Sequence, residues 1–170
     1  MAGEKTKNWT FHHFGVIVGD MDKAVEYYRS LGIVDFPLED ADGGSPVMWQ
    51  ELTSYGETVL KDGKLVNPPV EKENLRPGRV MFCNIGSMQF ELIQPSEAIK
   101  DVNGDFLERV GGGINHIAYT VSLENYEQEV EKMKAKGVEV LFSGKQATGG
   151  GFTYFDTRGT GGIIIELMVG

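Results

Sequence analysis

A histidine-led strand that occurs twice constrains this chain more than any other feature. His13-Phe-Gly-Val-Ile-Val18 aligns with His116-Ile-Ala-Tyr-Thr-Val121. Both copies place Val five residues after the His, and both run through a polar turn into a stretch of helical spacing. Met21, Ala24, Val25, Tyr28 and Leu31 form the first apolar stripe, with Asp20 as N-cap and Gly32 as stop. Leu123, Tyr126, Val130 and Met133 form the second, with Ser122 as cap and Gly137 as stop. The two halves also end alike, Phe90-Glu-Leu-Ile93 matching Ile165-Glu-Leu-Met168. Each half therefore reads as strand, helix and further strands, the last carrying a glutamate.

This pattern divides the chain into a polar tail (1–8), a first module (9–95), a linker with a short helix over Asp105–Val110 (96–113) and a second module (114–170). The first module is the longer one. Its excess is read as an insertion at about 38–78, rich in Asp-Gly, Asn-Pro-Pro and Arg-Pro-Gly turn signals and holding Trp49 and Tyr55.

Composition limits the partners. With 25 acidic against 16 basic residues the net charge is −9, which disfavours nucleic acid and anionic membrane surfaces. No apolar run is long enough to span a bilayer, and the first residues lack a secretory apolar core. Cys83 is the single cysteine, so an internal disulfide framework and a cysteine zinc site are excluded. The expectation is a cytoplasmic protein, with Cys83 as a packing residue.

Strand alternation supplies the candidate site. His13, Gly15 and Ile17 share one face of their strand, and His116, Ala118 and Thr120 share one face of theirs. The bulky alternates, Phe14, Val16 and Val18 in the first copy, belong against the helices. Glu91 and Glu166 likewise oppose Leu92 and Leu167. Pseudo-two-fold packing then converges four ligands: His13, Glu91, His116 and Glu166. Two imidazoles and two carboxylates suit a divalent first-row ion (Co, Mn, Ni, Zn or Fe) or Mg. His12 competes with His13, but alternation sends His12 to the helix-packing side and the repeat pairs His13 with His116.

These motifs resemble the vicinal oxygen chelate superfamily, which includes glyoxalase I, extradiol dioxygenases, bleomycin-resistance proteins and methylmalonyl-CoA epimerases. The similarity to the epimerases rests on His13–Val18, Val80–Gly86, Phe90–Pro95, Phe106–Arg109, Gly112–Ala118 and Gly161–Glu166, in that order. Asn115 departs from a common His-His pair of the epimerases, so His116 alone is carried over as a ligand. The resemblance implies an α+β fold of two βαβββ modules that form a curled sheet around a metal.

It also implies chemistry at a carbon next to a carbonyl: a metal-dependent isomerase of the epimerase type, acting through a stabilised enolate. The substrate would be a small molecule with an acidic C–H, CoA thioesters among the candidates, and the assembly a homodimer. Glu166 and Glu91 are candidate bases, and Glu51 in the insertion is a further one. The alternatives are a glyoxalase-like or other enolate-forming lyase, and a metal-free binding or resistance module. That last class usually loses the ligands, whereas all four are present here.

Overall fold

A computed structural model of the chain describes residues 8–34, 48–49, 52–55, 59–60, 64–65, 78–97, 101–146 and 150–170. Glu51 lies outside the described residues.

The first module opens with β1 (Thr10–Ile17) and α1 (Met21–Leu31). Asp20 caps α1 by accepting from the Lys23 N–H, and Gly32 ends it in the left-handed region at φ 64°. Two short strands, β2 (Met48–Trp49) and β3 (Leu52–Tyr55), come next. A small ribbon follows, β4 (Val59–Leu60) against β5 (Lys64–Leu65). The module closes with the hairpin β6 (Gly78–Ile85) and β7 (Met88–Pro95). A linking helix α2 (Val102–Val110) leads into β8 (Gly113–Val121) and α3 (Leu123–Ala135). The last elements are β9 (Val140–Gln146), β10 (Gly151–Phe155), α4 (Arg158–Gly161) and β11 (Ile164–Val169).

Nine strands form one sheet in the order β2-β6-β7-β1-β8-β11-β10-β9-β3. The repeat is visible in this order. Each histidine strand pairs in parallel with the glutamate strand of its own half, β1 with β7 and β8 with β11. The two histidine strands then pair antiparallel at the centre. This is the α+β architecture of two βαβββ modules joined edge to edge.

The segment read as an insertion does two things. Met48–Trp49 takes the outer place of the first module beside β6, as β9 does beside β10 in the second. Leu52–Tyr55 then adds to β9, at the far edge of the sheet. Trp49 and Leu52 are three residues apart, so their Cα atoms lie within about 11 Å. A sheet whose opposite edges are tied that closely must curl until they approach each other.

The convex face carries the long helices. Met21 and Val25 of α1 pack on Val16, Met81, Cys83 and Leu92; burial pushes the Cys83 thiol up to about 11, as suits a packing residue. Tyr126 and Val130 of α3 pack on Val121, Phe155 and Leu167. Two stripe residues at helix ends, Leu31 and Leu123, remain exposed. Ser122 makes no capping bond; its hydroxyl accepts from the Asn125 side-chain amide instead. Arg79 and Arg158 are held in ion pairs with Asp22 and Asp156.

Helix α2 begins three residues earlier than the sequence pattern suggests, because Asp101 caps it. Its Oδ1 accepts from the N–H groups of Asn103 and Gly104. The helix packs on the concave side. Phe106 and Leu107 meet Ile17, Val80 and Ile93 of the first module, while Val102 joins Phe142, Tyr154 and Ile164 of the second.

Asp101 is 2% exposed and its Oδ2 has no hydrogen-bond partner. Burial raises its pKa to about 6 against the opposing pull of the cap bonds. The folded protein therefore holds this proton more tightly than the unfolded chain. Stability should fall as pH rises from about 4 to about 6, by about 3 kcal/mol in total. Denaturant titrations of wild type and Asp101→Asn across this window should show that slope in wild type and its loss in the variant. Parallel pH profiles would contradict the assignment.

Candidate metal centre

Each of the four sequence-selected residues reaches the centre by strand register. Gly15 stands opposite both Glu91 on β7 and His116 on β8, so their side chains rise from one concave patch. Ala118 stands opposite both His13 and Glu166, repeating the arrangement one pleat further on. In both places a small residue sits under the imidazole and carboxylate. A Cβ on Gly15 would lie 1.8 Å from His116 Cε1. Ala118 is fully buried, with only a methyl group. Small side chains there leave the space the imidazoles occupy.

His13, His116, Glu91 and Glu166 are 1, 0, 6 and 5% exposed. One ligand atom from each falls within 4.8 Å of all the others. His13 Nε2 is 3.1 Å from Glu91 Oε2 and 3.5 Å from Glu166 Oε2. His116 Nε2 is 3.3 Å from Glu166 Oε2 and 3.9 Å from Glu91 Oε2. Donors bonded at about 2.1 Å to one ion stand roughly 3 to 4.2 Å apart, the range these pairs occupy. The approaches lack hydrogen-bond direction: both Nε2 atoms and Glu166 Oε2 are buried without a hydrogen-bond partner. Lone pairs aimed at a shared point, rather than at each other, are the arrangement a cation requires.

Electrostatics point the same way. Burial alone would lower the His13 pKa, but Glu166 and Glu91 outweigh it and raise it to about 10. Burial would raise that of Glu166, yet His116 and His13 hold it at about 2. Two buried carboxylates thus demand positive charge beside them. The residues fit a divalent ion with a mixed nitrogen and oxygen shell, whose charge the two carboxylates balance.

The surroundings include residues that sequence reasoning missed or misplaced. His12 does not face the helices. A bulge in β1 between Phe11 and His13 breaks the alternation and turns His12 inward. Its ring stands 5.0 Å from that of His13 and 6.1 Å from that of Phe82, whose strand position pairs with Glu91. All three histidines of the chain therefore gather at this centre. Tyr154, opposite Glu166 in register, lays its ring 4.7 Å from that of His116. Burial, then Glu166 and Glu91, push its hydroxyl well above the ordinary tyrosine range, so it stays a neutral O–H. Tyr154 shares an apolar cluster with Phe142 and Phe152, and the sequence pattern did not single it out. Only register with β11 reveals its place at the site.

Comparison with known proteins bears on the class. The glyoxalase/bleomycin resistance protein/dioxygenase superfamily matches residues 12–155, and the chain belongs to it. Among curated relatives, an uncharacterized protein, YqjC of Bacillus subtilis, is 28% identical over 139 residues, covering 81% of this chain and 87% of that one. The mitochondrial methylmalonyl-CoA epimerase of Bos taurus is 23% identical over 159 residues, covering 92% and 71%. Among solved structures, methylmalonyl-CoA epimerase from Mycobacterium tuberculosis superposes with a TM-score of 0.57 at 20% identity, covering 98% and 92%. That likeness establishes a shared fold. No described helix is long and apolar enough to cross a membrane.

The close contact at Gly15 yields a test. Gly15→Ala forces the buried His116 ring to move, so unfolding free energy should drop by about 1–3 kcal/mol. Urea denaturation measures this. A variant as stable as wild type would mean that the His116 imidazole does not lie over this strand.

Proposed function

We propose that the protein is a divalent-metal-dependent isomerase that removes and returns a proton at a carbon next to a carbonyl, with methylmalonyl-CoA as the leading substrate. The convergence of His13, Glu91, His116 and Glu166 on one point carries this reading. Membership of the superfamily and the epimerase relatives support it. The four residues would hold the ion. When bound, the ion supplies Lewis-acid stabilisation of negative charge developing on a carbonyl oxygen.

The chain's own groups account for the rest. Epimerisation needs proton exchange on both faces of one carbon. Glu91 and Glu166 come from β7 and β11, which flank the β1–β8 pair on opposite sides. Their ligand oxygens stand within 4.8 Å of each other and of the imidazoles, so the space between them is the ion's; a carboxylate that loosens from that place could take the proton from one face and return it to the other. The rings of Phe82 and Tyr154 lie beside the imidazoles and narrow the access of water to them. Glu51 stays a candidate base on the sequence reading alone.

A second reading is a lyase that expels a β-substituent from the same enolate. The placement of Trp49 and Tyr55 on strands at opposite edges of the sheet favours it, because an edge segment of this kind can reshape the substrate mouth.

Incubation with methylmalonyl-CoA in deuterated buffer, followed by mass spectrometry, tests the proposal. Exchange of the α-proton should require a divalent ion. Glu166→Gln should retain the fold and slow exchange by about 10²-fold or more, and His13→Ala should abolish the metal-dependent exchange by removing a ligand. Metal-dependent exchange confined to another carbonyl compound would select the lyase. Tight binding of an unreacted ligand, with no exchange in any compound, would select the binding module.

A further inference from the structure

The residue just before each ligand histidine is the extra residue of a bulge. In β1 the register passes from Phe11 opposite Tyr119 to His13 opposite Ala118, leaving His12 over. In β8 it passes from His116 opposite Gly15 to Ile114 opposite Val16, leaving Asn115 over. A bulge releases its extra residue from strict alternation. Both released side chains turn onto the neighbouring imidazole. His12 Nδ1 lies 2.7 Å from His13 Nδ1, and Asn115 Oδ1 lies 3.1 Å from His116 Nδ1. The far nitrogen of each ligand ring, Nε2, faces the Glu91–Glu166 pair.

We propose that His12 and Asn115 are matched positioning residues, each accepting a hydrogen bond from the Nδ1–H of the next histidine and so turning its Nε2 lone pair toward the two glutamates. This rests on the reading of the four residues as a metal centre. A neutral imidazole carries one N–H, so Nε2 offers a lone pair only when the proton sits on Nδ1. An acceptor at Nδ1 selects that tautomer and fixes the ring's rotation. The two modules use different side chains with one shared property, an acceptor atom at the same place in the repeat. Asn115 is 3% exposed, and its Nδ2 is buried with no hydrogen-bond partner. Its position therefore makes use of the carbonyl oxygen and leaves the amide nitrogen unused. Partners of this kind typically change metal affinity by about 10–100-fold when removed.

The repeat suggests the experiment. Zinc affinity of the full chain is measured by competition with a chromogenic chelator for wild type, His12→Phe, Asn115→Leu and the exchanged pair His12→Asn and Asn115→His. Long-range proton–nitrogen spectra of the imidazoles are recorded metal-free and with zinc. Zinc binding should weaken about 10–100-fold in His12→Phe and Asn115→Leu. It should stay near wild type in His12→Asn and Asn115→His, which keep an acceptor. With zinc bound, His13 and His116 should carry Nδ1–H and coordinate through Nε2.

The proposal falls if either histidine coordinates zinc through Nδ1, or if His12→Phe and Asn115→Leu bind zinc as wild type does. It also falls if the acceptor-keeping variants, folded by circular dichroism, lose as much affinity as the acceptor-free ones. Should Asn115→Leu not fold, the wild-type spectra decide alone. A wild type that binds no zinc, yet shows Nδ1–H with a bare Nε2 on His116 and loses that form in Asn115→Leu, overturns the metal reading and supports the positioning role.

Discussion

Two carboxylates, Glu91 and Glu166, stand almost fully buried within reach of the same two imidazole nitrogens. Bringing like charges together away from water is costly unless positive charge joins them. The strongly raised pKa of His13 expresses that demand within the protein itself. The rest of the architecture serves this meeting. The parallel pairing of each histidine strand with its own glutamate strand brings one imidazole and one carboxylate together per module. The antiparallel β1–β8 pairing then sets the two half-sites face to face.

Small residues and irregularities do the fine placement. Gly15 and Ala118 open the floor on which the rings lie. The two bulges break alternation where a regular strand would send His12 and Asn115 to the helix side. The same irregularity at the same point of both modules gives the His13 and His116 rings each a neighbour at Nδ1. A duplicated fold can thus repeat a functional device along with its strands.

Closure of the site is a matter of topology. Helix α2 lies across the concave faces of both modules, and its cap is the buried carboxyl of Asp101. The chain from β2 to β3 ties the two sheet edges together and curls the sheet around its centre. The four side chains at the centre are almost fully buried.

The sequence by itself determined the duplication, the two caps of α1, and the four side chains that meet at the centre. Those are local: a histidine and a glutamate at matched positions of a repeat, with a two-residue period that says which face they share. Alternation failed at His12 because a bulge is a property of two paired strands, invisible in either one. It was equally silent on Tyr154, whose place depends on register with β11, and on Asp101, which is an ordinary cap until a core closes over it. The stretch at 38–78 read as a single insertion; pairing alone could divide it into an outer strand of the first module and an added strand on the second. Sequence period fixes what a side chain is near along its own strand. Which atoms face each other across strands is decided by hydrogen-bond register, and that is set only when the whole sheet forms.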